Sequence, residues 1–250
     1  MPSEWIVPLH GPTDTTIPFE APHAVVSKWL DLDHRSPVKP YSLLPPISRG
    51  QATILTVRLL DDTLAEKLSA SATPGTPVRL GRHHFTVPGP ARVRHLTPWT
   101  ELAASAPKRA WQIVYTTPAT FRRRTRTSPW PAPDSILTSL ASRWAKLRPD
   151  CAPELSRTTV ATVWVSDVDG HSEPFPLKDT VVSGFLGRIR YVCDGNEADA
   201  RTASALFSFA RYAGIGSHTA YGLGAVQVED TWQPRGRTSS TEQRQEADSK

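Results

Sequence analysis

Four glycines fall within the eleven residues GIGSHTAYGLG, at positions 214–224. Glycine has no Cβ, so such a segment can adopt positive φ and leave successive backbone N–H groups uncovered, a concave arrangement that binds anions such as phosphate. The segment follows a predicted helix and precedes a predicted strand, which excludes a nucleotide P-loop and a dinucleotide fingerprint. A glycine cap on that helix would explain Gly214 and Gly216 but not Gly222 and Gly224. We therefore expect a phosphate-binding loop here.

Positive charge is concentrated in the middle of the chain. Residues 67–133 hold eleven lysines and arginines against the single acid Glu101, a net charge of +10, whereas the whole chain carries +5. The other residues therefore carry −5. This asymmetry favours a polyanionic partner, with a solvated basic surface as the alternative.

Two similar series of elements must position these residues. The first has a strand at 4–10, a helix at 21–32, a strand at 51–60, a short helix carrying Leu64 and Leu68, and two or three strands within 76–96. Val25, Val26, Trp29 and Leu30 recur at helical spacing in the first helix.

The second series starts with a strand at 111–117 that Pro118 ends. It continues with a helix that Asp134 caps and that carries apolar residues on one side, namely Ile136, Leu137, Leu140, Trp144 and Leu147. Strands follow at 158–168 and 180–193, with a turn at Asp169-Gly170, then a helix at 198–213 and a strand at 223–228. Strand, helix, two strands, helix, strand is the βαββαβ order. We therefore predict an α+β protein of tandem ferredoxin-like (RRM-like) domains, at 1–108 and 109–231, with the C-terminal glycine-rich loop and a disordered tail at 232–250.

The glycine loop has the pattern Gly-hydrophobic-Gly, five residues, Gly-hydrophobic-Gly. It resembles the signature of the RAMP superfamily, in particular of its CRISPR precursor-RNA (repeat) processing endoribonucleases. Three further pieces resemble that family and follow in its order: HRSPVKPYSLLPP at 34–46, TTPATFRRR at 116–124 with PWPAPDSILTSLASRWAKL at 129–147, and VSGFLGRIRY at 182–191. The family's loop spacer usually contains lysine or arginine, whereas this one has only His218.

The resemblance implies cleavage of CRISPR repeat RNA without a metal or another cofactor. The 2′-OH attacks the adjacent phosphate, which leaves a 2′,3′-cyclic phosphate and a 5′-OH. Such chemistry needs a base, an acid and a cation beside the phosphorane. His34 matches the family's frequent catalytic histidine, and a predicted helix C-terminus favours its imidazolium form, which suits the acid. Lys39 matches the family's lysine and would stabilise the phosphorane.

The base stays unassigned between His23 and Tyr41, and His23 would lie about three helical turns from His34. The roles of His83 and His84 are open, and the sequence around them offers no carboxylates with metal-ligand spacing. Basic residues and the loop are expected to bind the RNA backbone. The candidates are Arg122, Arg123, Arg124, Arg126, Arg188, Arg190, Gly214, Gly216, Ser217, His218, Gly222 and Gly224.

The expected partners are precursor and mature guide RNA, with CRISPR effector subunits and a second copy of the chain left open. The alternative function is a non-catalytic RAMP subunit that binds guide RNA in an effector complex. A general RRM-like protein is disfavoured because the RNP aromatic string is missing. No apolar run reaches the roughly 18 residues of a membrane span. Two cysteines and a first segment without signal-peptide features predict a cytoplasmic protein.

Overall fold

A computed structural model describes residues 1–13, 16–32, 38–123, 125–177 and 180–229, with the backbone alone at residue 123. Two large antiparallel sheets, each covered by helices, form an N-terminal and a C-terminal half, and two short strands at 121–128 pair as a separate ribbon. Each half has its own buried apolar cluster. The mixed α+β class with tandem ferredoxin-like halves is thereby confirmed. The domain limits stay a prediction, and the tail at 232–250 lies outside the described residues.

The N-terminal half is built on a sheet in the order β2-β4-β1-β6-β5, with β3 also paired to β4 and β7 to β1. Its core consists of alternating strand residues such as Val7 and Leu9, together with Val26 of the first helix and Leu30, which follows that helix directly. Its elements are β1 (Ser3–His10), α1 (Ala21–Trp29), β2 (Tyr41–Leu43), β3 (Ile47–Arg49), β4 (Ala52–Leu59), α2 (Thr63–Ser71), β5 (Pro77–Leu80), β6 (His83–Thr86), β7 (Arg92–Leu96) and α3 (Trp99–Ala103).

An edge strand that the sequence reading did not predict lies at 41–49. It pairs with β4 in two pieces, Tyr41–Leu43 and Ile47–Arg49. Pro45 and Pro46 stand between the pieces. Because proline has no N–H to donate, two in succession interrupt the ladder. Because of the interruption, the strand lacks the continuous alternation of apolar and polar residues that predicts a strand.

The C-terminal half is a four-stranded sheet in the order β11-β12-β8-β13, and its two long helices cover one face. Ile136, Leu140 and Trp144 project from α4 into this core. The elements are β8 (Ala110–Ala119), β9 (Phe121–Arg123), β10 (Arg126–Ser128), α4 (Pro133–Leu147), α5 (Arg157–Thr162), β11 (Val163–Leu177), β12 (Thr180–Cys193), α6 (Glu197–Ala213), a 3-10 turn (Thr219–Tyr221) and β13 (Val226–Glu229).

The predicted strand at 158–168 is wrong in its first part, because residues 157–162 form α5. Its threonines and valine favour a strand, but two contacts hold a helix instead. The Ser156 hydroxyl accepts a hydrogen bond from the Thr159 N–H at 2.9 Å and thereby caps the helix. The Thr159 hydroxyl donates to the Asp199 carboxylate of α6 at 2.7 Å. Tertiary contact thus overrides the local preference.

The predicted turn at Asp169-Gly170 is also wrong. Gly170 lies inside β11 opposite Gly187, and the two strands pair as far as Leu177 and Thr180. A Cβ on Gly187, whose φ is +132°, would meet the backbone of Asp169 and Gly170. The glycines here therefore serve close approach of two strands rather than a reversal.

Two further expectations about element ends are wrong. Strand β8 continues through Pro118 to Ala119, and the Pro118 carbonyl accepts a hydrogen bond from the Gly224 N–H at 2.9 Å. Helix α4 begins at Pro133 without a side-chain cap, so Asp134 lies in its first turn instead of capping it. Proline suits this first position because its missing N–H has no helical partner there.

Three aromatic side chains join the halves. Trp99 of α3 packs against Trp144 of α4 and Phe209 of α6, with ring centroids 5.1 and 5.4 Å away. The Ser42 hydroxyl donates to the carbonyl of Tyr212 at 2.5 Å.

Within the described ranges, no helix has the length and apolar character that crossing a membrane requires.

A buried ion pair joins β1 to β4. Glu4 and Arg58 lie opposite each other in the ladder, each about 5% exposed, and Arg58 Nε donates to Glu4 Oε2 at 2.8 Å. Burial lowers the pKa of Arg58, and the bond to Glu4 opposes this effect. Arg94 approaches the same carboxylate at 3.7 Å from the surface.

Arg58→Met is expected to lower the free energy of unfolding by about 3 kcal/mol, because the Glu4 carboxylate then stays buried without its main partner. The double variant Glu4→Leu/Arg58→Met should recover most of this loss, since no buried charge remains. Urea denaturation followed by tryptophan fluorescence measures both. As a control, Arg201→Met breaks an exposed pair with Glu197 and should cost less than about 0.5 kcal/mol. Equal losses for the two single variants would contradict this expectation.

Candidate functional site

A groove of about 380 Å³ lies where the two halves meet. Its walls are one face of α4, the chain that leads into β2, and residues 214–224, which we call the glycine segment. Lys39, Arg143, Lys146 and His218 all line it. The remaining lining residues are Val38, Ser139, Ser142, Gly216, Ser217, Thr219, Ala220 and Tyr221.

The glycine segment depends on backbone conformations that other residues rarely adopt. Gly214, Gly216, Gly222 and Gly224 have φ of +71°, +93°, +101° and +62°. His218 has a φ of +62° as well, which is uncommon for a residue with a Cβ, and it caps the 3-10 turn. Backbone geometry therefore requires Gly222 and Gly224, which a glycine cap on the preceding helix does not explain.

Most of the amides in this segment are bonded within the protein. The N–H of Ser217 donates to Thr120 O at 2.7 Å, and that of Gly224 to Pro118 O at 2.9 Å. The expectation of uncovered amides is wrong for seven positions, because each donates to a carbonyl of the chain. They are Gly214, Ile215, Ser217, Tyr221, Gly222, Leu223 and Gly224. A role of the segment in RNA binding stays a proposal and would depend on side chains and surface shape.

Arg143 is the most highly connected side chain of the groove. Its Nη1 donates to the carbonyl of Ala213 and to Thr219 Oγ1, the latter at 2.9 Å. Its Nη2 donates to the carbonyls of Lys39 and Tyr41, both at 2.9 Å. Burial lowers the pKa of Arg143 to about 10, so the guanidinium still carries its charge at neutral pH. These four acceptors are uncharged and leave that charge unneutralised.

A buried polar cluster stands behind the groove. The Tyr41 hydroxyl lies 2.7 Å from both Ser27 Oγ and His23 Nδ1, and the ring of His23 stacks on Tyr221 at 4.0 Å. His23 Nδ1 also lies 3.2 Å from the carbonyl of Ala220. Burial raises the pKa of Tyr41 to about 12. Tyr41 is fully buried, and these contacts hold its hydroxyl inside the fold.

A second cleft, of about 690 Å³, continues the groove along α4. The two share Ser139, Ser142, Gly216 and Ser217, and the second adds Arg122 from β9 and Asp134. The joined surface thus presents Lys39, Arg143, Lys146 and Arg122 against one carboxylate. A long groove of this charge suits a phosphate backbone.

The predicted RNA-binding arginines are not all brought to this groove. Arg188 and Arg190 flank the core residue Ile189 and so lie on the sheet face away from the helices. Arg190 Nη1 is 3.6 Å from Asp167 Oδ2, and Arg188 lines a separate cleft of about 350 Å³. Arg126 is exposed on β10, opposite Arg123.

The two predicted catalytic residues have different outcomes. Lys39 lies in the groove, whereas His34 and Arg124 lie outside the described residues. Among the described residues, no three His, Cys, Asp or Glu side chains are grouped as metal ligands would be. The sequence analysis missed every groove residue that α4 supplies: Ser139, Ser142, Arg143 and Lys146. Ser139, Arg143 and Lys146 are spaced one helical turn apart and form a polar stripe beside the apolar face of α4, which was a signal present in the sequence.

Comparison with known proteins gives consistent relatives. A family model described as CRISPR-associated endoribonuclease Cas6 matches residues 113–226. Two proteins of that name from Mycobacterium tuberculosis, strains CDC 1551 and H37Rv, are each 27% identical over 125 residues. The match covers 48% of this chain and 39% of each relative, so it spans about two fifths of their length.

Solved structures match nearly the whole chain. A Cas6 product complex is 27% identical with a TM-score of 0.74, covering 91% of this chain and 99% of that one. A Cas6 substrate mimic complex is 26% identical with a TM-score of 0.73 and the same coverage. A structure titled as a RAMP protein binding different RNA substrates, 14% identical with a TM-score of 0.61, covers 91% and 100% and shows the fold alone. These findings confirm the resemblance to the CRISPR repeat-processing endoribonucleases.

Gly224→Ala is expected to destabilise the protein more than Gly50→Ala, although the two glycines have nearly equal φ of +62° and +58°. At Gly50 the new Cβ enters open space, so only the backbone conformation costs energy, about 1 kcal/mol. At Gly224 it would collide with the carbonyl oxygen of Ile215, which should raise the cost to at least about 3 kcal/mol. Chemical denaturation measures the free energy of unfolding of both variants. Equal losses would show that the backbone near Gly224 can shift to accommodate the new Cβ.

Proposed function

We propose that this chain is an endoribonuclease that cleaves CRISPR repeat RNA and so matures guide RNA. The groove that brings Lys39 together with Arg143, Lys146 and the glycine segment is the observation that carries the proposal. It places the lysine expected from the family resemblance on a surface whose charge suits a phosphate backbone. The Cas6 product and substrate mimic complexes, which match over 91% of this chain, support the same activity.

The proposed reaction is a transesterification that needs no metal ion. A base takes the proton of the scissile 2′-OH, and that oxygen forms a bond to the adjacent phosphorus. The bond from phosphorus to the 5′-oxygen breaks, and an acid gives the leaving oxygen its proton. The products are a 2′,3′-cyclic phosphate and a 5′-OH. No electrons are transferred and no co-reactant is consumed, so proton transfer and charge stabilisation are the whole catalytic task.

Two side chains receive roles in this scheme. His34 is the proposed acid, on the basis of the family resemblance and the histidine pKa near neutrality. Lys39 is the proposed cation beside the phosphorane, and its position in the groove supports this role. The base stays unassigned between His23 and Tyr41, and burial, which raises the pKa of Tyr41 to about 12, disfavours the tyrosine.

RNA contacts are proposed for residues of the two clefts other than Arg143 and for the outer arginines. Arg122 stands in the adjoining cleft and Ser217 in both, so they would follow the RNA backbone away from the cut. Arg123, Arg124, Arg126, Arg188 and Arg190 would contact more distant nucleotides. Association with effector subunits or with a second copy, and a cytoplasmic location, stay predictions.

Purified protein is expected to cut a repeat RNA from its own locus once, in the presence of EDTA. A copy with a 2′-deoxy at the cut should bind but stay intact, because it lacks the attacking oxygen. Gel analysis with end-group chemistry identifies the cyclic phosphate. Cleavage that requires a divalent metal would refute the mechanism. Tight binding of both RNAs without any cut would refute the activity and favour the non-catalytic RAMP subunit.

His34→Ala is expected to slow cleavage at saturating protein by at least about 100-fold, because the leaving oxygen loses its proton donor. Binding of the 2′-deoxy RNA should change by less than about threefold, since one proton donor adds little to the backbone contacts. His10→Ala, an exposed residue at the end of β1, is the matched control and should leave both quantities unchanged. An unchanged cleavage rate in His34→Ala would remove this residue from the mechanism.

A further inference from the structure

We infer that Arg143 is a positioning residue that holds the chain carrying Lys39 against the glycine segment, and that cleavage depends on this hold. The inference rests on the proposed function for the use made of Lys39. The hold itself is a property of the protein without RNA. Arg143 lies within the segment 129–147 that resembles the family, but nothing in the sequence singled out this arginine for a role.

The geometry assigns the two ends of the guanidinium to two different parts of the chain. Nη1 bonds the last residue of α6, Ala213, and the hydroxyl of Thr219 in the 3-10 turn. Nη2 bonds the carbonyls of Lys39 and Tyr41, which are more than 100 residues away in sequence. One side chain thus joins α4, the glycine segment and the start of β2.

Arginine is suited to this task in a way that lysine is not. A guanidinium has five N–H donors in a fixed plane, and four bonds from two nitrogens can point in separate directions. A lysine ammonium has three donors on one nitrogen and cannot reach all four acceptors. The carbonyl of Ala213 also lies at a helix C-terminus, where a positive charge is favourable.

The bonded atoms explain why the hold matters for catalysis. Arg143 donates a hydrogen bond to the backbone carbonyl of Lys39. Because this bond fixes the backbone at Lys39, it also fixes the direction in which the Lys39 side chain leaves it. A catalytic group displaced by about 1 Å can cost about 100-fold in rate. Four of the five guanidinium N–H groups already bond the protein, which favours a holding role over direct contact with the RNA phosphate.

The test compares Arg143→Lys and Arg143→Ala with the control Arg201→Ala, an exposed arginine on α6. With RNA saturated by protein, both Arg143 variants should cleave about 100-fold more slowly. Their affinity for the 2′-deoxy RNA should stay within about threefold of the original. Guanidinium ion at millimolar concentration should restore part of the rate in Arg143→Ala and none in His34→Ala. Weaker binding with an unchanged rate at saturation would overturn the inference and make Arg143 an RNA contact.

Hydrogen exchange of the free protein separates this inference from the proposed function. In Arg143→Lys, exchange should become faster at residues 39–43 and 213–221 and stay unchanged in the sheet of the C-terminal half. Faster exchange throughout that half, or no change at 39–43, would overturn the inference, because Arg143 would then act on global stability or not hold this segment. If the original protein fails to cleave RNA, the proposed function falls, while the exchange at 39–43 still decides whether Arg143 holds the segment.

Discussion

A guanidinium that leaves water must have its N–H groups bonded, because an unpaired buried donor costs more than a hydrogen bond returns. Arg143 meets this constraint with four acceptors from two separate parts of the chain, residues 213–219 and residues 39–41. The parts of the chain that converge on this side chain also line the groove. Arg143 also keeps its positive charge in the groove, because three carbonyls and a hydroxyl satisfy its donors without neutralising the guanidinium. Structure and electrostatics of the site therefore have a common origin.

The glycine segment is fixed from two further directions. Leu223 packs against Leu177 and Val182 near the end of the β11–β12 hairpin, and Phe19 joins the same cluster from the N-terminal half. On the other side, Thr120 and Pro118 accept hydrogen bonds from its backbone. Positive φ at the glycines is what allows the backbone to pass this close to its neighbours. The amides of this segment were expected to bind an anion. Most of them instead donate hydrogen bonds within the protein, which stabilise the conformation of the segment.

Much of the fold could be predicted from the local periodicity of apolar residues. The apolar spacing of Ile136, Leu140 and Trp144 predicted α4 and its buried face, and glycine density predicted an unusual backbone at 214–224. Prediction failed where distant contacts decide the outcome, as in α5, whose β-branched residues become helical through Ser156 and Asp199. Arg143 was missed for the same reason, because its acceptors lie 70 to 104 residues away. The polar stripe on α4 was visible, but its partners were not.

Prolines on two outer strands have a consequence for how the molecule behaves in a crowded solution. An open strand edge can recruit a strand from another chain, which leads to aggregation. On the edge formed by β2 and β3, Pro45 and Pro46 break the line of donors. On β11, Pro174 and Pro176 pair with β12 at alternate positions, so the N–H groups they lack would have faced outward. Both edges are therefore poor templates for a strand of another chain.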